Sequence, residues 1–142
     1  MAGEIQNYTE KVIDFLGFDQ ASYPDDNKIY SLDFGKDLVV RYSDLHPGVN
    51  FMSILGKLPD KNREVLVSSL MHLNLFGNGT GGGVFGYSEE NKSLTFTSAV
   101  PYRLQFGAFK NALEDFVNYV DFWKSELVRV KAGEKSLLMT LN

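Results

Sequence analysis

The strongest candidate for chemistry in the sequence is a glycine-rich stretch, NLFGNGTGGGVFGY, at residues 74–87. Two sets of its glycines have the G-x-G-x-x-G spacing of dinucleotide-binding loops: Gly77, Gly79, Gly82 and Gly81, Gly83, Gly86. Such loops follow a strand and open a helix, whose free N–H groups point at the phosphate. Here an apolar helical pattern precedes the loop, so the partly negative end of a helix would face the anion. The order favours glycines that end a helix and allow a close backbone approach, rather than a phosphate site.

The other residue types that carry chemistry are few and scattered. The two histidines, His46 and His72, are far apart in sequence. The absence of cysteine excludes disulfides, thiolate zinc sites and cysteine nucleophiles. The acidic pair Asp25 and Asp26 lacks the spacing of a calcium-binding loop, and Ser68–Ser69 has no nucleophile elbow around it. The sequence therefore predicts no catalytic residue, no metal site and no cofactor, and it favours a binding function by elimination.

Composition predicts one ordinary globular domain over residues 1–142. Hydrophobic residues make up 44% of the chain and charged residues 23%, which is enough for a sizeable core. The net charge is −4 and no cluster of lysine and arginine occurs, so nucleic acid and anionic membranes are not expected partners. The N-terminal MAGEIQNYTEK lacks the features of a signal peptide, and no apolar run reaches about 18 residues. We therefore expect a cytoplasmic protein.

Helical spacing of apolar residues predicts three helices. The first covers residues 4–16, with one apolar stripe, and ends at Gly17. The second is predicted to open at Pro59 with Asp60 as its N-cap and to end at Gly77. Its apolar residues cover more than one face, which is unusual for a small surface helix. The third runs over residues 106–130 and keeps its spacing throughout.

Alternation of apolar and polar residues predicts five short strands between these helices. They lie at residues 28–34, 38–43, 49–55, 84–87 and 93–100. The short turns between them are typical of antiparallel pairing. The element order α-βββ-α-ββ-α predicts an α+β sandwich with a mostly antiparallel, twisted sheet.

The segment LMHLNLFGNGTGGGVFGYSEENKSLTFTSAV, residues 70–100, combines an apolar helix ending in an Asn-Leu step, a glycine loop, a strand, a polar turn and an apolar strand. Leu113, Phe116 and Trp123 add an L-x2-F-x6-W spacing in the last helix. In these features the chain resembles the Tir chaperone family, the class I chaperones of type III secretion. The resemblance covers most of the chain and agrees with its length and element order.

The resemblance implies a cytoplasmic homodimer in a bacterium with a type III secretion apparatus. Each member of the family binds the N-terminal region of a secreted effector in extended form and keeps it competent for secretion. Apolar grooves and strand addition at a sheet edge hold the segment, and no nucleotide is needed. The ATPase of the export apparatus is a further candidate partner. The implied effector-binding residues lie on the first helix and the first three strands: Ile5, Tyr8, Val12, Leu16, Ile29, Val39 and Phe51.

The pattern of the second helix predicts a surface for self-association. Val65, Met71 and Leu75 are apolar but lie outside the stripe that would pack on the core, so a second copy could cover them. The residues expected at this dimer interface come from that helix and the strand after the glycine loop: Val65, Leu66, Ser69, Leu70, Met71, Leu73, Leu75, Val84, Phe85 and Tyr87. The alternative interpretation is a non-enzymatic α+β adaptor or regulator of similar fold, and a small enzyme has the least support. A cargo gene beside this one would favour the chaperone.

Overall fold

Three helices and five strands follow one another in the predicted order α-βββ-α-ββ-α in the computed structural model, which describes residues 3–20, 23–76 and 82–139. The elements are α1 (Glu4–Leu16), β1 (Tyr30–Asp33), β2 (Val39–Asp44), β3 (Val49–Lys57), α2 (Arg63–Phe76), β4 (Val84–Ser88), β5 (Ser93–Val100) and α3 (Phe106–Lys131). A short 3-10 helix, Leu137–Met139, follows α3. The predicted α+β class is therefore confirmed.

The strands form one antiparallel sheet in the order β1-β2-β3-β5-β4, so β1 and β4 are its edges. An aromatic row crosses its buried face, since Tyr30 pairs with Tyr42 and Tyr42 pairs with Phe51. Phe109 and Phe116 of α3 pack on that row, at centroid distances of 5.9 and 5.4 Å from Phe51. The core thus lies between this face of the sheet and the helices.

Hydrogen bonds also fix α1 to the buried face of the sheet. Thr9 donates its only hydroxyl proton to the Ile5 carbonyl at 2.7 Å, so Tyr42 donates to Thr9 Oγ1 at 2.6 Å. Burial raises the pKa of the Tyr42 phenol, because the charged form would lose its hydration. Tyr42 therefore stays a neutral donor that anchors α1 to β2.

The start of α2 differs from the sequence prediction. The helix begins at Arg63 rather than at Pro59, and Asp60 is not its N-cap. Asn62 has a φ of 57°, so the chain makes a left-handed step immediately before the helix. Asp60 instead lies on the surface, 3.7 Å from Arg63. Gly77, the predicted helix end, lies outside the described residues.

The C-terminal segment packs against α2 and α3. Leu138 is fully buried, and its 3-10 helix is held by the Glu126 carboxylate of α3. Glu126 Oε1 accepts the Leu137 N–H at 2.7 Å, and the Glu126 carbonyl accepts the Ser136 hydroxyl at 3.0 Å. These bonds keep the chain folded back, so that Leu138 supports the inner face of α2.

Packing against a buried ring explains Gly83, one glycine of the stretch at residues 74–87. A Cβ at this position would lie 2.2 Å from Cζ of Phe96, and Phe96 is buried. The ring leaves no room for a side chain, which confirms here the predicted close backbone approach. Gly77 to Gly81 lie outside the described residues.

Replacing Gly83 by alanine is expected to lower the free energy of unfolding by about 1–3 kcal/mol, because the added methyl group overpacks the core at Phe96. Urea denaturation followed by circular dichroism measures the change. Gly107→Ala is the matched control, since nothing lies within 4 Å of a Cβ added at Gly107. Equal stability of the two variants would contradict this account.

Candidate functional site

An apolar groove of about 590 Å³ lies between the C-terminal half of α1 and α3. We call it the α1–α3 groove. It is lined by Val12, Phe15, Leu16, Phe18, Phe34, Lys110, Leu113, Glu114, Val117 and Asn118. Phe15 is 67% exposed and Leu16 is also exposed, although both belong to the apolar stripe of α1. Exposed apolar side chains grouped around a concave surface are typical of an interaction site.

The end of α1 builds one wall of the groove through a Schellman motif. Gly17 is left-handed with a φ of 69°, and its N–H bonds the Asp14 carbonyl. The Phe18 N–H bonds the Ile13 carbonyl at 3.0 Å. This turn carries Phe18 onto Phe34, where the two rings meet edge to face at 5.4 Å. The residue after the helix-ending glycine is often apolar in this motif, so the signal for Phe18 was present in the sequence.

The rim of the groove carries opposite charges on α3. Lys110 Nζ lies 4.1 Å from the centroid of the Phe15 ring, a cation–π contact. Glu114 lies one turn further along α3 and also lines the groove. The site can therefore bury apolar side chains while its rim distinguishes acidic from basic neighbours. These are the properties of a peptide-binding surface.

The β1 edge of the sheet borders the α1–α3 groove. Phe34 lines the groove, and the residue before it, Asp33, ends β1. The backbone groups of Asp33 that point away from β2 are bonded by the Gln20 side chain. An extended segment in the groove would therefore pass directly beside a sheet edge.

The implied effector-binding residues do not form one surface. Ile5, Val12 and Phe51 are buried in the core, with Val12 only 2% exposed, although Val12 touches the groove floor. Tyr8 is half-buried, because its ring packs on Phe106 and Phe109 and its hydroxyl donates to Leu104 at 2.9 Å.

The remaining three implied residues lie apart from one another. Leu16 lines the α1–α3 groove and Ile29 precedes β1. Val39 lies on the other face of the sheet from Val40, where it borders a separate depression with Met52. The sequence interpretation assigned neither Phe18 nor Phe34 to the effector-binding surface, because both lie outside the helical stripe of α1.

A second exposed apolar surface lies on α2 and β4. Half of the predicted dimer residues are buried within the protomer and belong to its own core: Leu66, Ser69, Leu70, Leu73 and Phe85. The other half are exposed, and Val67 joins them: Val65, Met71, Leu75, Val84 and Tyr87. We call these six exposed residues the α2–β4 face. Leu75 is 77% and Met71 66% exposed.

One pair of hydrogen bonds makes the α2–β4 face continuous. Asn74 Nδ2 donates to the Phe85 carbonyl at 2.9 Å, and the Phe85 N–H donates to Asn74 Oδ1 at 2.7 Å. Leu75 is next to Asn74 in α2, and Val84 is next to Phe85 in β4. Both residues therefore lie close to the contact between α2 and β4.

Neither a metal-binding group nor a membrane-spanning helix occurs among the described residues. No three His, Cys, Asp or Glu side chains in the ranges 3–20, 23–76 and 82–139 are grouped to hold a metal ion. In the same ranges no helix has the length and hydropathy to cross a membrane. His46 lies on an exposed turn, 3.5 Å from Asp44.

Solved structures share this fold at low sequence identity. A chain of the ExsC–ExsE complex aligns with a TM-score of 0.67 and 17% identity, covering 87% of this chain and 93% of that chain. A chain of the heterodimeric ExoU–SpcU complex from the type III secretion system of Pseudomonas aeruginosa gives 0.59 and 15%, covering 89% and 96%. A chain of the HopA1–SchA chaperone–effector complex gives 0.56 and 15%, covering 87% and 99%. No curated protein matches the sequence.

A family model matches most of the chain directly. The model describes the Tir chaperone protein (CesT) family and matches residues 12–124. The matched region extends from α1 into α3, so it includes both the α1–α3 groove and the α2–β4 face. This match confirms the resemblance seen at residues 70–100. The chain therefore belongs to the Tir chaperone protein (CesT) family.

Proposed function

We propose that this protein is a chaperone that binds an extended segment of a type III secreted effector in the α1–α3 groove. The observation that carries the proposal is the exposure of Phe15, 67%, and of its neighbour Leu16 at the mouth of an apolar groove. Structural relatives such as the HopA1–SchA pair are chaperone–effector complexes, which supports the same partner class here. The effector segment would stay unfolded and competent for secretion while bound.

The size of the groove favours an extended segment over a folded domain. A volume of about 590 Å³ lies within the range of sites that enclose drug-sized ligands, which corresponds to a few side chains. Lys110 and Glu114 at the rim would set the register of the segment, because each rejects a like charge beside it. Apolar side chains would then supply the affinity through burial.

We also propose that two copies associate through the α2–β4 face, as a closed twofold dimer. Met71 and Leu75 are exposed apolar side chains that a second copy would cover by the same residues. The groove lies between α1 and α3, so each protomer would keep its own groove open in such a dimer. We place this dimer in the cytoplasm, and we propose the ATPase of the export apparatus as a second partner.

Affinity purification of the tagged protein from its native host tests the function. The expected result is recovery of a secreted protein that is held through its N-terminal region. A recovered partner that is never secreted would instead support the adaptor or regulator interpretation. Limited proteolysis of the complex then defines the bound segment, which serves as the ligand in the next measurement.

Replacing Phe15 by glutamate is expected to weaken binding of that segment about 10- to 100-fold, since the burial of one aromatic side chain is lost. Isothermal titration calorimetry measures the affinity. Val128→Glu is the matched control, because Val128 is an equally exposed apolar residue of α3 outside the groove. The groove assignment fails if both variants bind the segment as the unmodified protein does.

A further inference from the structure

The segment that follows α3 turns back and lies against that helix. Gly133, just after α3, is left-handed with a φ of 75°, and the Glu134 N–H bonds the Arg129 carbonyl at 2.9 Å. This turn reverses the direction of the chain. We call residues 134–139 the C-terminal strap. Its 3-10 helix packs against both α2 and α3.

A buried carboxylate of α3 holds the C-terminal strap. Glu126 is only 8% exposed, and its Oε1 accepts the Leu137 N–H at 2.7 Å. Its carbonyl accepts the Ser136 hydroxyl at 3.0 Å, and Ser136 Oγ accepts the Leu138 N–H at 3.1 Å. A carboxylate is costly to bury unless it accepts hydrogen bonds, so the strap and Glu126 satisfy each other. If the strap undocks, water replaces these bonds, so no buried charge is left behind.

The apolar packing of the C-terminal strap is concentrated in one side chain. Leu138 is fully buried, whereas its neighbour Leu137 is 53% exposed. Leu138 belongs to the same core cluster as Leu66 and Leu70 of α2. Burial of one leucine side chain favours docking by about 10- to 100-fold in the equilibrium constant. The conformational entropy that the strap loses on docking opposes this gain, so docking is reversible.

The C-terminal strap is one of the two elements that lie closest to α2. The other is β4, which Asn74 ties to the C-terminal end of α2 through its two bonds to Phe85. The exposed side of α2 carries most of the α2–β4 face, including Met71. The position of α2, and with it the shape of that face, therefore depends on the strap as well as on β4.

We propose that the C-terminal strap is a releasable clip that positions α2, with Glu126 as its lock. Undocking of the strap frees α2 while the sheet stays folded. A free α2 no longer presents the α2–β4 face, so self-association requires a docked strap. This consequence for self-association rests on the proposed dimer, whereas the clip itself is tested in any oligomeric state.

Two engineered thiols distinguish opening of α2 from opening of the sheet. The chain contains no cysteine, so each variant has a single reactive thiol. Ser69 of α2 is 0% exposed and Ser53 of β3 is 1% exposed, and a Ser→Cys replacement changes only the side-chain oxygen to sulfur. Each thiol therefore reacts with N-ethylmaleimide only when its element opens. Mass spectrometry of the full chain gives the reaction rates of Ser69→Cys and Ser53→Cys.

Leu138→Asp is the releasing variant, because a charged side chain cannot occupy the buried site of Leu138. It should speed the reaction of Ser69→Cys at least about 30-fold, while Ser53→Cys stays at least about tenfold slower than Ser69→Cys. Leu137→Asp is the matched control, because it adds the same charge at the neighbouring exposed position and should leave both rates unchanged. Glu126→Ala should speed the reaction of Ser69→Cys about tenfold. Glu126→Gln should speed it less, since it keeps an acceptor oxygen for the Leu137 N–H.

The clip is wrong if Leu138→Asp and Leu137→Asp give the same rate for the α2 thiol. It is also wrong if both thiols become equally reactive in Leu138→Asp, because the strap would then belong to one cooperative core. By light scattering, Leu138→Asp should be a monomer at the micromolar concentration at which the unmodified chain is a dimer. A Leu138→Asp variant that stays dimeric would overturn the link to the α2–β4 face. An unmodified chain that is monomeric would overturn the proposed dimer alone, because the thiol rates do not depend on it.

Discussion

Replacing Met71 by glutamate is expected to convert the proposed dimer into a monomer and to raise its dissociation constant about 1,000-fold. Met71 belongs to the α2–β4 face and is 66% exposed. In a twofold dimer both copies bring the same residue to the interface, so two carboxylates would be taken out of water. An unpaired charge that is buried in this way costs several kcal/mol. Light scattering at micromolar concentration measures the mass directly.

Two controls separate loss of the dimer from loss of the fold. Val128→Glu places the same charge at an exposed apolar position of α3 outside the α2–β4 face and should remain a dimer. The single tryptophan, Trp123, packs edge to face on Phe85 at 5.2 Å, so its fluorescence reports on the base of that face. A Met71→Glu variant that stays dimeric, or an unmodified chain that is monomeric at micromolar concentration, would contradict the proposed interface.

Replacing Phe51 by alanine is expected to lower the free energy of unfolding by about 3–5 kcal/mol, because it leaves a cavity in the aromatic core. Phe51 is 1% exposed and contacts Tyr42, Phe109 and Phe116 at centroid distances of 5.8, 5.9 and 5.4 Å. The residue was implied to bind effector, and its burial instead assigns it to the core. Urea denaturation followed by Trp123 fluorescence measures the loss.

Val39→Ala is the comparison for this prediction. Val39 lies in β2 on the other face of the sheet and is only half-buried, so its truncation should cost less than about 1.5 kcal/mol. A Phe51→Ala variant that unfolds at the same urea concentration as Val39→Ala would contradict the core assignment. If Phe51→Ala keeps full stability and loses only the effector segment, the residue belongs to the binding surface after all.

The sequence predicted the helices and strands well because the signals for them are local. The bounds of α1 agree with its apolar spacing and with the helix-ending Gly17. The start of α2 was predicted four residues too early, at Pro59 rather than Arg63, because Asp60 is a good capping residue but Asn62 takes a left-handed backbone. Nothing in local propensity distinguishes these two possibilities. The chaperone function was implied by the resemblance to the Tir chaperone family, and the family match over residues 12–124 confirms it.

The sequence was less informative about which apolar residues lie in the core. Ile5, Val12 and Leu16 belong to one stripe of α1, yet Val12 is buried and Leu16 is exposed. Helical spacing identifies the side of a helix that faces its neighbour. How far the neighbouring layer extends along the helix depends on the packing of α3 and β1, which lie far away in sequence.

By itself, then, the sequence determined the element order and the helix-ending glycine of α1, since both follow from spacing along the chain, and it carried the resemblance that identified the family. Only the tertiary structure decided where the α1–α3 groove and the edge contacts lie. The groove needs Phe18 and Leu113 on opposite walls, and the β1 edge needs Gln20 beside Asp33. These contacts join segments that are separated in sequence by loops and whole elements. Their formation depends on the packed sheet and helices, because a hydrogen bond or an apolar contact forms only at short range.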